Sequence, residues 1–168
     1  MQQVPSRGVR AEGAVVTTSW PSSPCSVDHA RRMLEEALTG WGLAELSESA
    51  ALVISELMTN AVMHGGVPGR RIETRVIRLA GGVRIEVHDA NAKRPELRRA
   101  SDDDERGRGL ALVHALTDGC WGVNTRVGVG KRVWAQVAPK GSDPQLPNMG
   151  ERDQQTPSDP VLRAGIAP

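Results

Sequence analysis

Glu56 and Asn60 stand four residues apart inside an apolar, helix-forming run from Ala50 to Met63. On an α-helix each residue turns by about 100°, so this spacing stacks the two side chains on adjacent turns, with Cβ atoms about 5–6 Å apart. Ala50, Val53, Ile54, Leu57 and Ala61 then form one apolar stripe, and the acid and the amide lie along its edge. A carboxylate half turned toward a core is costly to desolvate unless something binds it. An amide oxygen suits a hard cation such as Mg²⁺, which keeps several of its waters and commonly bridges to phosphate. The pair therefore points to a metal–nucleotide site on a helix edge. The competing reading is structural, because Glu and Asn at the rim of an amphipathic helix also begin its solvated face.

Two further motifs bear on that choice. Gly107-Arg108-Gly109-Leu110 opens an apolar, helix-like run. Glycine lets a backbone approach a ligand closely, the free amides of a first helical turn favour an anion, and Arg108 adds a charge suited to phosphate. Asp89 ends a strand-like alternation, where a carboxylate could accept a hydrogen bond from an exocyclic amine such as that of adenine. Taken singly, a Gly-x-Gly is often only a turn, and an Asp at a strand end often only caps a bend.

The elements that must carry these residues can be read from periodicity. Ala14 to Trp20 is β-prone and stops at Pro21. Ser26 is a candidate N-cap for a first helix with Val27, Ala30, Leu34, Leu38 and Trp41 at helical spacing. The opposite face of that helix, Arg31, Arg32, Glu35 and Glu36, reads as solvated, and Gly40 or Gly42 as its stop. Ser47 or a neighbour caps a second helix, which carries Glu56 and Asn60 and ends at Gly65-Gly66. Two strands follow, 71–79 and 83–89, and their alternation suits a hairpin with one buried face. The polar segment 91–106 reads as a lid-like loop, and its acidic run from Asp102 to Glu105 as solvated surface. A third helix from Gly107 to Asp118-Gly119 and strands near 121–127 and 132–137 complete the pattern. Closely spaced strands favour antiparallel pairing. The expected fold is α+β, a two-layer α/β sandwich whose mixed, mostly antiparallel sheet is covered by helices on one face.

Composition narrows the function further. The chain has 168 residues, read as one domain over 14–138 between a flexible tail at 1–13 and a disordered tail at 139–168. It contains no Phe and no Tyr, so aliphatic side chains and four Trp must fill its core. The formal net charge of +1 gives no field for direct nucleic-acid contact, and no basic stripe is evident. Cys25 and Cys120 fit no metal-ligand spacing and read as two buried thiols. With no run of 18 apolar residues and no leader, the protein is expected to be soluble and cytoplasmic, without a membrane partner.

In order and spacing these motifs resemble those of the GHKL ATPases, the superfamily that includes gyrase and the histidine kinases. Glu56-x-x-x-Asn60 with His64 is similar to its N box, Asp89 falls where its G1 box begins, and Gly107-Arg108-Gly109-Leu110 where its G2 box lies. Glu-Leu-x-x-Asn-Ala-x-x-His-Gly followed by Gly-Arg-Gly-Leu most resembles the small anti-sigma-factor serine/threonine kinases and their actinobacterial relatives. The resemblance covers about 15–137 and implies the Bergerat ATP-binding fold. It implies ATP and Mg²⁺ as cofactors, with Asn60 holding the metal and touching the triphosphate. Glu56 would be the general base, Asp89 would read the adenine amine, and Gly107, Arg108, Gly109 and Leu110 would cradle the phosphates. It implies phosphorylation of a Ser or Thr on an anti-sigma-factor antagonist, sequestration of a sigma factor, and a homodimer. The alternative is a non-catalytic, ATP-dependent protein-binding module that senses nucleotide. Two departures bear on these expectations: no glycine follows Asp89 in Asp89-Ala90-Asn91, and Lys131-Arg132 stands where Gly-Thr is often found. At the helix end, His64 reads more readily as a packed or capping imidazole than as a ligand.

Overall fold

A computed structural model describes residues 13–93, 108–126 and 128–139. The two tails, most of the lid-like segment and its acidic run lie outside the described residues, as does Gly107.

The chain runs β1 (Val15–Pro21), α1 (Cys25–Trp41), a 3₁₀ turn (Ala44–Leu46), α2 (Ser47–His64), β2 (Arg71–Leu79), β3 (Gly82–Asp89), α3 (Arg108–Leu116), β4 (Trp121–Thr125) and β5 (Lys131–Val137). Its five strands form one sheet in the order β1-β2-β3-β5-β4. Every pairing among the described residues is antiparallel, so the mixed character expected of the sheet is corrected. The physical reason lies in the connections: β2–β3 and β4–β5 are joined by short turns, which only antiparallel neighbours can use. Leu79 pairs directly with Gly82 across the first of them. A Cβ at Gly82 would run into the Val137 carbonyl, so glycine is what allows β3 to begin this close to β5.

The α2 stripe read from the sequence is the centre of the core. Ala50, Val53 and Ile54 are fully buried, Leu57 and Ala61 nearly so, and Met58 joins them. This side of α2 faces Ile72, Val76, Val83, Ile85 and Val87 of the central hairpin, with Val133, Ala135 and Val137 of β5 in the same cluster. α1 contributes Ala30, Leu34 and Leu38, and α3 contributes Val113. Each fully buried aliphatic side chain of this kind stabilises the fold by about 1.5–3 kcal/mol in transfer terms. α1 stops where Gly42 takes a left-handed conformation (φ 70°). The Leu43 amide then bonds back to the Leu38 carbonyl at 2.8 Å, closing the helix end.

Three local expectations are corrected. Ser26 does not cap α1 from outside. It lies buried in the first turn and donates to the Pro21 carbonyl at 2.8 Å, tying the helix to the end of β1. Arg31 is not simply solvated, because its guanidinium donates to the Ser55 hydroxyl at 2.9 and 3.0 Å and fastens α1 to α2. Cys25 is exposed and Cys120 only partly covered, so neither is the buried thiol expected.

The largest departure is on the sheet face away from the helices. β3 is buried along its whole length, on both faces. Its outward residues Arg84, Glu86 and His88 form a charged layer in place of a solvated one. The Glu86 carboxylate receives Arg84 Nε at 2.8 Å and His88 Nε2 at 3.1 Å, with guanidinium nitrogens of Arg132 and Arg75 at 3.9 and 4.0 Å. The Arg84 guanidinium in turn lies 4.0 Å over the Trp134 ring, whose indole N–H donates to Asn124 at 2.7 Å. Long arginine stems and a tryptophan cover what a hairpin with one buried face would leave wet. Burial opposes ionisation of Glu86 most strongly, yet the His88 and Arg84 hydrogen bonds and the arginine charges outweigh it. They hold this carboxyl at about 2 against an ordinary 4.5.

Candidate functional site

The second half of α2 is the spine on which the sequence motifs meet. Glu56 and Asn60 lie on its edge as the spacing predicts, both partly exposed. Neither side chain has a hydrogen-bond or ion-pair partner among the described residues. A half-buried carboxylate beside an uncommitted amide is an arrangement that a ligand would complete.

The first turn of α3 arrives at Glu56. A Cβ built on Gly109 would collide with Glu56 Oε2, so only glycine admits this approach of backbone to carboxylate. Leu110 is buried behind it and fixes the start of the helix. The free amides of a first helical turn therefore stand beside Glu56. Of the four residues expected to cradle phosphate, the structure brings Gly109 to Glu56 and buries Leu110 next to it in the chain, whereas Gly107 and the Arg108 side chain lie outside the described residues.

At its other end α2 meets the end of β3. Gly65 packs directly on the Asp89 carboxylate, and a methyl group there would come within 2.6 Å of Asp89 Cγ. The Asn91 side chain donates to the His64 carbonyl at 2.7 Å, while the Asn91 backbone N–H donates to Asp89 Oδ1 at 2.8 Å. His64 thus takes part through its backbone. Its imidazole is exposed and not packed, which corrects that expectation. Glu56 and Gly65 are nine residues apart, about 13 Å along the helix axis at about 1.5 Å per residue. That is the scale of an extended nucleoside triphosphate, with Gly109 and Glu56 at one end, Asn60 between and Asp89 at the other.

One residue at this site has a role that the sequence did not give it. Lys131, the first residue of β5, pairs in register with Asp89. Its ammonium lies 2.8 and 3.0 Å from the two carboxylate oxygens and 3.0 Å from the Asn91 carbonyl. Both partners are buried, with 8% and 2% of their side chains exposed. The signal was parity. Lys131, Val133, Ala135 and Val137 alternate on the inward face, so a cation at the head of that series must be matched by an inward anion.

The sequence profile of the histidine kinase-like ATPase domain matches residues 20–137. The chain belongs to this family. The histidine kinase-like ATPase domain lies within the GHKL superfamily, and the match runs from the last two residues of β1 to the end of β5. A comparison with curated proteins finds no match to the chain. The α+β sandwich with helices on one face is that of the GHKL ATP-binding domains, and ATP binding follows from membership of an ATPase family. No helix of the described residues is long and apolar enough to cross a membrane.

Proposed function

We propose that this histidine kinase-like ATPase domain is a cytoplasmic serine/threonine protein kinase of the anti-sigma-factor type. It phosphorylates a Ser or Thr of a small antagonist protein and sequesters a sigma factor according to that phosphorylation state. One observation carries the reading: Glu56 has no partner among the described residues and lies against Gly109 in the first turn of α3, a helix end whose free amides favour an anion.

Bound ATP would supply the transferable phosphoryl group, with Mg²⁺ neutralising its charge. The residues present fit that pair, since Glu56 and Asn60 share one edge of α2, neither has a partner among the described residues, and Gly109 approaches Glu56 without a Cβ. Among the described residues no three acidic, His or Cys side chains gather into a metal cage. Mg²⁺ keeps several waters and leans on substrate phosphates, so it needs few protein oxygens. Asn60 supplies one. Glu56 takes the proton of the attacking hydroxyl as its oxygen bonds to the γ-phosphorus and the bond to the ADP oxygen breaks. Gly109 and Leu110 offer their amides to the charge on the phosphates. Positioning and charge neutralisation carry most of such a reaction, and proton removal adds about 10²–10⁴-fold.

A second reading is favoured by Lys131. A non-catalytic module that senses nucleotide and gates a protein contact could tolerate a base-reading carboxylate already paired with a lysine. Transfer of radiolabelled phosphate from ATP to a serine of an antagonist encoded nearby decides between the two. The kinase reading expects transfer, abolished in Glu56→Ala while calorimetric ATP affinity is kept, and expects Mg²⁺-dependent binding to vanish in Asn60→Ala with helical content intact. Binding without transfer to any antagonist would leave the module, and unchanged affinity in Asn60→Ala would remove the site.

A further inference from the structure

The Asp89–Lys131 pair changes what the base end of the cleft can recognise, an inference that rests on the nucleotide reading above. A carboxylate offers about four lone-pair positions. On Asp89, Oδ1 already accepts from the Asn91 amide at 2.8 Å and from Lys131 at 3.0 Å, and Oδ2 accepts from Lys131 at 2.8 Å. The side of Oδ2 that faces α2 lies against Gly65, so closely that a Cβ built there would come within 2.7 Å of it. The carboxylate is 2% exposed. An exocyclic amine is a donor, as is the lysine ammonium, so the two compete for the same oxygens. The ammonium carries the full charge, is held in register by the β3–β5 ladder, and is braced by the Asn91 carbonyl.

We propose that Lys131 sets base selectivity in this chain: its ammonium occupies the Asp89 carboxylate, so the cleft accepts purine nucleoside triphosphates with little regard for an amine at position 6. Triphosphate recognition at Asn60, Glu56 and Gly109 supplies the affinity, and the base end discriminates weakly. A hydrogen bond to a charged group ordinarily contributes roughly tenfold or more in affinity. Its absence is therefore measurable.

The experiment compares the Mg²⁺-dependent affinities, by calorimetry on the full chain, of ATP and of purine riboside triphosphate, which lacks the amine. The wild-type protein is expected to bind the two within about fivefold of one another. Lys131→Thr, which frees the carboxylate, is expected to prefer ATP by roughly tenfold or more. A wild-type preference for ATP above about fivefold overturns the proposal, and so does a folded Lys131→Thr protein that discriminates no better than wild type. Thermal unfolding of the variant with and without nucleotide verifies its fold, and the wild-type comparison decides the matter even if the variant does not fold. A wild-type protein that binds neither compound overturns the nucleotide reading itself. Strong wild-type selectivity for ATP removes only the role given to Lys131.

Discussion

Two glutamates, Glu56 on the helical side and Glu86 on the opposite face of the sheet, differ in what surrounds them, and the proposed function assigns them different ends. Glu86 is 4% exposed and held by one histidine and three arginines. Glu56 is less buried and has no partner among the described residues. Carboxylates placed for architecture are surrounded by their counter-charges, whereas one placed for chemistry is left for a ligand to complete. Degree of burial alone would have pointed to Glu86 as the functional residue. Commitment of the lone pairs points to Glu56.

The contrast is open to direct attack. Glu86→Ala should cost about 3–5 kcal/mol in urea unfolding, because it leaves Arg84 buried without its anion. Glu56→Ala, by the same measurement, should change stability by no more than about 0.5 kcal/mol. Equal losses at the two positions would erase the distinction. Next in size is the response to acid. The Glu86 carboxyl is lowered in the folded protein to about 2, so its contribution is fully present above its ordinary range near 4.5 and disappears as pH falls from there toward 2. At 1.36 kcal/mol per unit the loss is about 3 kcal/mol, and it should be missing in Glu86→Gln when stability is followed against pH. Gly65→Ala comes third. Its methyl would strike the Asp89 carboxylate, and overpacking of that kind costs about 1–3 kcal/mol. The smallest effect is expected for Arg31→Ala. It removes a partly exposed bond from α1 to Ser55 and should cost about 0.5–1 kcal/mol without altering nucleotide affinity.

How far the sequence foretold this arrangement depended on whether the information was periodic. The α2 stripe, the place of Glu56 and Asn60 on its rim and the central hairpin follow from spacings of 3.6 and 2, and those are what the structure contains. The convergence of the G2 glycine on Glu56 was legible only through motif order, since nothing local to Gly109 announces a neighbour 53 positions earlier. Inward parity called for an anion to match Lys131, but only the register names Asp89 as that anion. Lys131 begins its strand one residue before the predicted start at Arg132, and one residue decides which face a side chain takes. The charged layer on β3 was hidden for a related reason. Arg84, Glu86 and His88 look like a solvated alternation, and only the neighbouring strands bring the arginines and the tryptophan that cover them. Ser26 shows the limit of capping rules, because a hydroxyl near a helix start bonded instead to the strand before it.

The stacking of Arg84 on Trp134 has a practical corollary. In a chain without tyrosine, ultraviolet emission comes from tryptophan alone, and one of the four indoles lies under a cation that belongs to the Glu86 cluster. Loosening that cluster would unstack the guanidinium and alter the glow of the ring beneath it. Glu56 lies on the helical side of the sheet, away from that ring, so the Trp134 indole is placed to sense strain in the frame.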